Sequence, residues 1–530
     1  MNGDQYDLWL LQYDGNAVER RAFPVTKTYL SKTHRNNRRG LSREMKEMPV
    51  QARETVNKFL RLTFHNYYRS NREKVDEPIR VDSREFAAQD WEINWQCGPE
   101  IEEGEVTKPG CGHSGKSFLK ITSCPNCGSR GIQVTDWIRH LGFRSQESLL
   151  NWLVESAPSN VYHSAAFYET PVARHMGEKM WQGAELVFDI DADHISTECK
   201  NNHDVWRCNN PDCQETGTGV PPEVGCPKCG KTAFSTRSWL CDKCLDAARE
   251  ITLRVHDEFL IQDFGIDPDY VQLNFSGHRG YHLRVRDPRV FKLDSRGRVE
   301  IAHYITGMGF RIASVKDESP ADRHRVIIVS TNSPLPTRNR SELNVPGWGN
   351  RVAEAMIEFI RNIDSYEGTE RWVKYFNDGK DDKKIPARNR ELTIQGLMRD
   401  PPVLSPRVKS VGDKSWQELA MRAIEAHGGE IDVPVTHDIH RVIRLIGSLH
   451  GKTGLSVTPI ARDGLETFNP LSDSLAITEG TMRIRFAESP LAVPKIRIGD
   501  DTLGPFHNET VELPMAAAVF MLCKGVATIE

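Results

Sequence analysis

The residues best suited to chemistry are Asp189 and Asp191, in the stretch Glu185-Leu-Val-Phe-Asp-Ile-Asp-Ala-Asp193. Leu186, Val187 and Phe188 form an apolar run of buried-strand type. Side chains alternate faces along a strand, so carboxylates two residues apart point the same way. Two like charges on one face repel, and they lose hydration if buried. A hard cation such as Mg²⁺ relieves both problems, because it takes carboxylate oxygens and often substrate phosphates too. That chemistry would be metal-dependent phosphoryl or nucleotidyl transfer. The competing reading is a strand that runs out into an acidic, solvated turn through Asp193 and His194.

Two later stretches carry anion-binding residue types. In Ser276-Gly-His-Arg-Gly-Tyr-His282, glycines flank His278 and Arg279 and permit a tight turn with exposed N–H groups. Ser276, Arg279 and His282 add hydroxyl, guanidinium and imidazole donors, a set suited to a triphosphate. Ser448-Leu-His-Gly-Lys-Thr-Gly454 is a second glycine-punctuated loop, with His450 and Lys452. It lacks the spacing of a Walker loop. Upstream of it, Thr436 could cap a helix over His437 to Leu445, which would place Arg441 and Arg444 side by side. Asp432 and Asp438 are both candidates for a third metal-binding acid.

Cysteines supply a different chemistry. The chain has 12, and only Cys523 lies outside the span Cys97 to Cys244. Clusters of this kind read as metal sites rather than disulfides in a reducing compartment. Cys97, Cys111, Cys124 and Cys127 suit a zinc ribbon, with His113 as an alternative to Cys111. Cys208, Cys213, Cys226 and Cys229 form a second ribbon. Cys199, His203, Cys241 and Cys244 bracket it, so a nested pair of sites is the simplest solution, with ligand exchange between the sets as the alternative. Four nitrogen or sulfur ligands leave no open position, so each site should be structural.

The elements that must position these residues are only partly legible. Helices are expected over 51–72, Asp136 to Ala157, Leu245 to Phe264, Ile301 to Gly309, Arg351 to Ile363 and Trp416 to Ala426, and strands over Tyr270 to Phe275 and Leu283 to Val285. Asp364 to Arg390 is highly charged, and Pro401 to Lys414 resembles a linker. Val457 to Glu530 should be strand-rich and structural, closing on the apolar stretch Ala516 to Leu522. At 530 residues, 38% hydrophobic and 27% charged, the chain is of ordinary globular composition. A net charge of −4 means that any nucleic acid must be held by local basic patches. Arg20 to Lys46 is one such patch, readable as a solvated arm or as a nucleic-acid-facing one. No apolar run approaches the ~18 residues of a membrane span, and Met1-Asn-Gly-Asp lacks a signal pattern, so a cytosolic (or nuclear) protein is expected.

Taken together, the strand ending in Asp189-x-Asp191, the Ser276–His282 turn and the Ser448–Gly454 loop, in that order, resemble the small catalytic subunit of the archaeal–eukaryotic primases, of archaeal type. Arg84-Glu-Phe86, and Arg139 ahead of Phe143, also resemble that family's earlier motifs. The resemblance implies an α+β fold: a mixed-sheet catalytic core with zinc-ribbon and knuckle insertions and a helical subdomain. It implies a basic extension over 1–52 and a catalytic domain over 53–530. Within the latter lie a ribbon insertion at 95–130, a nested zinc insertion at 198–246 and a mixed helical, charged region at 286–430.

The implied activity is nucleotidyl transfer that makes short primers on single-stranded DNA for replication. Asp189, Asp191 and Asp432 would bind two Mg²⁺ or Mn²⁺ ions, with Asp438 as the fallback third acid. Ser276, Arg279, His282, Arg444, His450, Lys452 and Arg139 would hold the nucleoside triphosphate. One to three structural Zn²⁺ ions, a large-subunit partner in a heterodimer, no membrane and a nucleoid-associated cytoplasmic location complete the expectation. The rivals are a related repair or translesion polymerase that extends but does not initiate, a zinc-ribbon nucleic-acid scaffold, and a metal phosphohydrolase.

Overall fold

The structure, a computed structural model, describes residues 50–102, 105–118, 121–213, 215–308, 311–316, 325–330, 347–362, 386–399, 403–404, 413–486 and 493–530. The basic patch at Arg20 to Lys46, most of the charged stretch from Asp364 and most of the linker-like segment from Pro401 lie outside the described residues.

Helix α1, Val50–Ser70, buries Val56, Leu60, Phe64 and Tyr67, the stripe expected of a 3.6-residue repeat. The chain then builds a first antiparallel sheet. Strand β1, Phe86–Cys97, is its spine, and it pairs with β2, Ser114–Ser117, with β3, Ile132–Leu141, and with β4, Asn160–Ser164. Asp136 to Ala157 was expected to be one helix. Instead Asp136 to Leu141 belongs to β3, and only Gln146–Ser156 is helical, as α2. Ile132, Val134, Thr135, Trp137 and Ile138 favour strand, and the helix waits for its cap: Ser145 accepts from the Ser148 N–H while the Ser148 hydroxyl accepts from the Ser145 N–H.

The second sheet is the one that carries the acids. Strand β5, Leu186–Asp191, buries Leu186, Val187, Phe188 and Ile190 and leaves Asp189 and Asp191 half-buried, as the alternation requires. A zinc-ribbon-like insertion follows, with strands Val205–Cys208, Thr216–Thr218 and Phe234–Arg237. Helix α3, Asp242–Arg254, leaves the last cysteine pair and runs into a π-helical segment, Val255–Asp263. Ala248, Ile251 and Val255 are buried there, in one core with Phe188, Ile190 and Leu283 of the sheet. Strands β6, Val271–Phe275, and β7, Gly280–Val285, form the hairpin, and β7 pairs antiparallel with β5. Helix α4, Ser295–Thr306, and a group of helices at Trp348–Arg361, Pro386–Leu397 and Asp413–His427 make a largely helical region.

The expected helix over His437 to Leu445 does not form. The helix there is the short α5, Val433–His437, with Asp432 at its N-cap position and Pro434 in its first turn. Val442–Arg444 is strand β8, which adds to the first sheet beside β4. Pro434 suits a helix start, where no N–H is needed, and β-branched Val442 and Ile443 fit a sheet position. Strand β9, Pro459–Ile460, closes the edge of the second sheet against β6. The C-terminal part carries strands Thr481–Phe486, Thr510–Pro514 and Ala527–Ile529, and the apolar α6, Met515–Cys523.

Candidate active site

The register of β5 against β7 sets the centre. Asp189 lies directly opposite His282, and Asp191 opposite Gly280. A Cβ on Gly280 would meet the Ile190 carbonyl oxygen at 2.2 Å, so glycine is needed for the strands to approach this closely. Asp432, the expected third acid, is brought to this strand through backbone: its N–H donates to the Asp189 carbonyl oxygen at 2.9 Å. Burial, then the charges of Asp191 and Asp432, push the Asp189 carboxyl up to about 7. Burial and Asp193 likewise raise Asp191. Yet the Asp189 side chain keeps 26% of its surface open, within reach of a ligand. Crowded, half-exposed carboxylates of this kind fit a divalent cation. Their oxygens are not among the sets that converge within 4.8 Å. Two ions about 3.5–4 Å apart would need no single point of convergence. Asp438 sits elsewhere: it accepts from the His440 N–H at 2.9 Å, and its charge acts on Tyr168 and His440.

The Ser276–His282 turn is held from inside. The Ser276 hydroxyl accepts from the N–H groups of His278 and Gly280. His282 accepts at Nδ1 from the Asn274 side-chain amide at 3.4 Å, which leaves the hydrogen of the neutral ring on Nε2, 3.5 Å from Asp189 Oδ1. Burial, followed by Arg284, Arg444 and Arg441, holds His282 well below the usual histidine range. Arg279 lies in the interior. It is fully buried, with Nη1 2.5 Å from Asp193 and 3.6 Å from Asp204, and Nη2 3.8 Å from the Cys244 sulfur. Asp193, whose position past the strand suggested no role, is therefore the partner of Arg279.

The Ser448–Gly454 loop packs directly on this turn. The Thr453 hydroxyl donates to the Gly277 carbonyl at 2.6 Å, and the rings of His278 and His450 stack at 4.9 Å with 11° between planes. His450 Nδ1 accepts from the Lys452 N–H, so the neutral ring carries its hydrogen on Nε2. Burial and then Arg444, Lys452 and Lys524 keep His450 neutral. Lys452 is half-buried on the same loop. Arg444, on β8, lies over the Tyr162 ring at 4.8 Å and donates to Asn160 Oδ1 at 2.7 Å. Asn160 Oδ1 also accepts from the Gly451 N–H, so one amide fixes both Arg444 and the loop. Arg139 is bound instead by the buried Glu85, at 3.0 Å, on the first sheet.

Lys524, just past α6, is a residue that no motif announced. Its ammonium donates to the Ser238 carbonyl at 3.0 Å and lies 3.4 Å from His278 Nε2. Asn160 and Asp204 were missed because partners that decide their role lie on other segments, Arg444 and Gly451 for Asn160 and Arg279 for Asp204.

All three cysteine sets come together as expected, each with ligand atoms within 4.8 Å: Cys97, Cys111, Cys124 and Cys127; Cys208, Cys213, Cys226 and Cys229; and Cys199, His203, Cys241 and Cys244. The His113 ring instead stands edge-on to Trp95, so Cys111 completes the first set. Four close sulfur or nitrogen donors are the donor set of a structural zinc ion, and these clusters could form zinc sites.

The fold class is thus α+β, with cysteine clusters set into a two-sheet core around an acid pair. Comparison with known proteins is specific within that class. A family model described as DNA primase small subunit matches residues 238–462, a span that holds both donor-rich loops, Asp432 and Arg444. A DNA primase small subunit PriS from Methanothrix thermoacetophila is 30% identical over 407 residues, 74% of this chain and 89% of that protein. The one from Methanococcoides burtonii is 30% identical over 393 residues, 73% and 87% of the two chains. The one from Nitrosopumilus maritimus is 27% identical over 477 residues, 90% and 99%. The chain belongs to the DNA primase small-subunit family. Among the described residues no helix is long and apolar enough to cross a membrane.

Proposed function

We propose that this chain is the catalytic small subunit of a DNA primase, a nucleotidyltransferase that makes short primers on single-stranded DNA and works beside a large subunit. The observation that carries the reading is the meeting of the Asp189–Asp191 pair with two donor-rich loops in one place. Residues 53–530 would form the catalytic domain, with the ribbon at 95–130 and the nested insertion at 198–246 as additions to it, the mixed region at 286–430 within it, and 1–52 as a basic extension.

Asp189, Asp191 and Asp432 would hold two Mg²⁺ or Mn²⁺ ions. Bound there, such ions supply charge neutralisation at the triphosphate and activation of the attacking 3′-hydroxyl. The protein's own contribution is positioning and charge. Arg444 places cationic charge beside Asp189, Lys452 adds charge beside His278 and His450, and His450 and His282 present N–H donors from uncharged rings. Ser276 shapes the turn that presents them. Arg279 acts from behind, holding the turn at Asp193 through both its side chain and its carbonyl, which accepts from the Ala192 N–H at 3.0 Å. The three cysteine sets would hold structural zinc.

The test is template-dependent dinucleotide synthesis from nucleoside triphosphates with no primer supplied. Asp189→Asn and Asp191→Asn should each lower the rate by at least ~10²-fold without changing the far-UV circular dichroism. Initiation at the normal rate by either variant would overturn the metal assignment. Extension of a supplied primer with no initiation, by the wild-type chain together with a large subunit, would point to a repair-type polymerase.

A further inference from the structure

The outer cysteine–histidine set is bound into the nucleotide turn by a carboxylate that belongs to neither. Asp204 follows the ligand His203 in sequence, just past a one-turn helix, Lys200–His203. Its Oδ1 accepts from His203 Nδ1 at 2.7 Å and from the Trp239 N–H at 3.0 Å. His203 Nε2, the nitrogen turned toward the cluster, lies 3.4 Å from the Cys244 sulfur. The other oxygen of Asp204, Oδ2, stands 3.6 Å from Arg279 Nη1. Arg279 in turn reaches the Cys244 sulfur at 3.8 Å and Asp193 at 2.5 Å. The Asp193 N–H then donates to Asp191 Oδ1 at 2.9 Å. An unbroken chain of polar contacts therefore runs from a metal-type cluster to one of the acids of the active centre.

We infer that Asp204 is a positioning residue that couples occupancy of the Cys199/His203/Cys241/Cys244 centre to the geometry of the Asp191–Asp193 turn and Arg279. The cluster fits zinc by its donors and their convergence, and a carboxylate on the far nitrogen of a ligating histidine orients the ring and strengthens it as a ligand. Here that carboxylate is shared with a fully buried guanidinium, which needs compensating negative charge where it sits. With the ion bound, the Cys244 thiolate and Asp204 together hold Arg279. With the ion gone, His203 can turn, Asp204 loses its anchor, and Arg279 loses the geometry that fixes Asp193. Such a coupling is reciprocal: whatever orders the turn must also tighten the metal centre. The other two cysteine sets make no such contact with the turn among the described residues, so the effect belongs to one site. The inference rests on the proposed reading that Mg²⁺ and a nucleoside triphosphate bind at this turn.

The experiment follows zinc release from the zinc-loaded full chain to excess pyridylazoresorcinol, with and without Mg²⁺ and a nucleoside triphosphate. In the wild type, one release phase should slow severalfold when the nucleotide is present. In Asp204→Asn that phase should be about 10- to 100-fold faster, the range usual for loss of such a partner, and indifferent to nucleotide. Asp204→Glu, which retains the charge, should recover part of both effects. KM for the nucleotide should rise in Asp204→Asn. Wild-type release that ignores the nucleotide would overturn the coupling, and so would an Asp204→Asn variant that releases zinc like the wild type. The wild-type comparison needs no variant, so the inference remains testable if Asp204→Asn does not fold. If Asp189→Asn still incorporates nucleotide, the underlying reading fails. If that variant is inactive and release is insensitive to nucleotide, the coupling alone fails.

Discussion

His282 and Asp189 stand at directly opposed positions of the β5–β7 ladder, imidazole Nε2 3.5 Å from carboxylate Oδ1. Neither group carries a full, stable charge there. Burial keeps the imidazole neutral, and burial with two neighbouring acids pushes the carboxyl up to about 7. The contact is therefore weak and replaceable, which suits a carboxylate that has to turn to a cation and an imidazole that then has an N–H to offer a phosphate. His282→Ala should raise the nucleotide KM by roughly 10- to 100-fold, the value of one hydrogen bond to a charged group at about 1.5–3 kcal/mol. It should leave template affinity unchanged. Steady-state kinetics with varied nucleotide, beside a template-binding titration, separates the two. An unchanged KM would remove His282 from the site.

Gly280 tests the same ladder from its backbone. An added Cβ would meet the Ile190 carbonyl oxygen at 2.2 Å and the Asp191 Cα at 2.9 Å, and neither belongs to a side chain that can swing away. Gly280→Ala should cost about 1–3 kcal/mol of stability, as overpacking does elsewhere. It should also cost more activity than that loss explains, because the strand forced aside carries Asp189 and Asp191. Urea unfolding and primer synthesis, both at a temperature where the variant is fully folded, give the comparison. Wild-type stability would mean that the strands are not this close.

How far the sequence could be read depended on whether the information was local. Asp189 and Asp191 were legible because a two-residue period inside an apolar run is local, and the cysteine sets because their spacing is short. The donor-rich loops were visible through their glycines and donors. Side-chain partners were not. Arg279 was expected on a phosphate, yet its position is decided by Asp193, Asp204 and Cys244, three residues on other segments. The stretch His437 to Leu445 has helical apolar spacing, and tertiary pairing of Val442–Arg444 with Tyr162 to Ser164 overrides it. Lys524 meets His278 across 246 residues, a relation that no local pattern encodes.

The buried histidines predict an acid sensitivity with a definite sign. His163, His278, His282 and His450 are each held well below the usual value of 6.5, in every case chiefly by burial and then by neighbouring cations. In the unfolded chain they return to about 6.5. Below that value the unfolded state binds protons that the folded state refuses, so stability rises with pH there and is lost as pH falls. The melting temperature should be level above about pH 7 and fall steeply from about pH 6.5 toward 5. Calorimetry near pH 5.5, in buffers of different ionisation enthalpy, should register net proton uptake on unfolding: the four histidines take up protons, and Asp189, raised to about 7 when folded, releases about one. No net proton uptake would mean that these rings are charged in the native protein.

Arg84 and Glu185 form a buried ion pair between the two sheets, Arg84 just before the spine strand of the first and Glu185 just before the acid-bearing strand of the second. Arg84 precedes β1, Glu185 precedes β5, both side chains are fully buried, and Arg84 holds the carboxylate through both Nη atoms, at 3.2 and 2.8 Å. Arg286 Nε lies 3.4 Å from the same carboxylate. Removing one member leaves its partner in the interior without its closest counter-charge, whereas removing both takes the two charges away together. Arg84→Met or Glu185→Gln alone should cost about 3–5 kcal/mol. The double variant Arg84→Met/Glu185→Leu should cost less than the sum, because the two paired groups leave together, although Arg286 and the buried Arg284 then lose the same carboxylate. Urea unfolding of the two single variants and the double gives the coupling directly. Losses that simply add would mean that the pair does not act as a unit, and that the seating of β5 depends on packing alone.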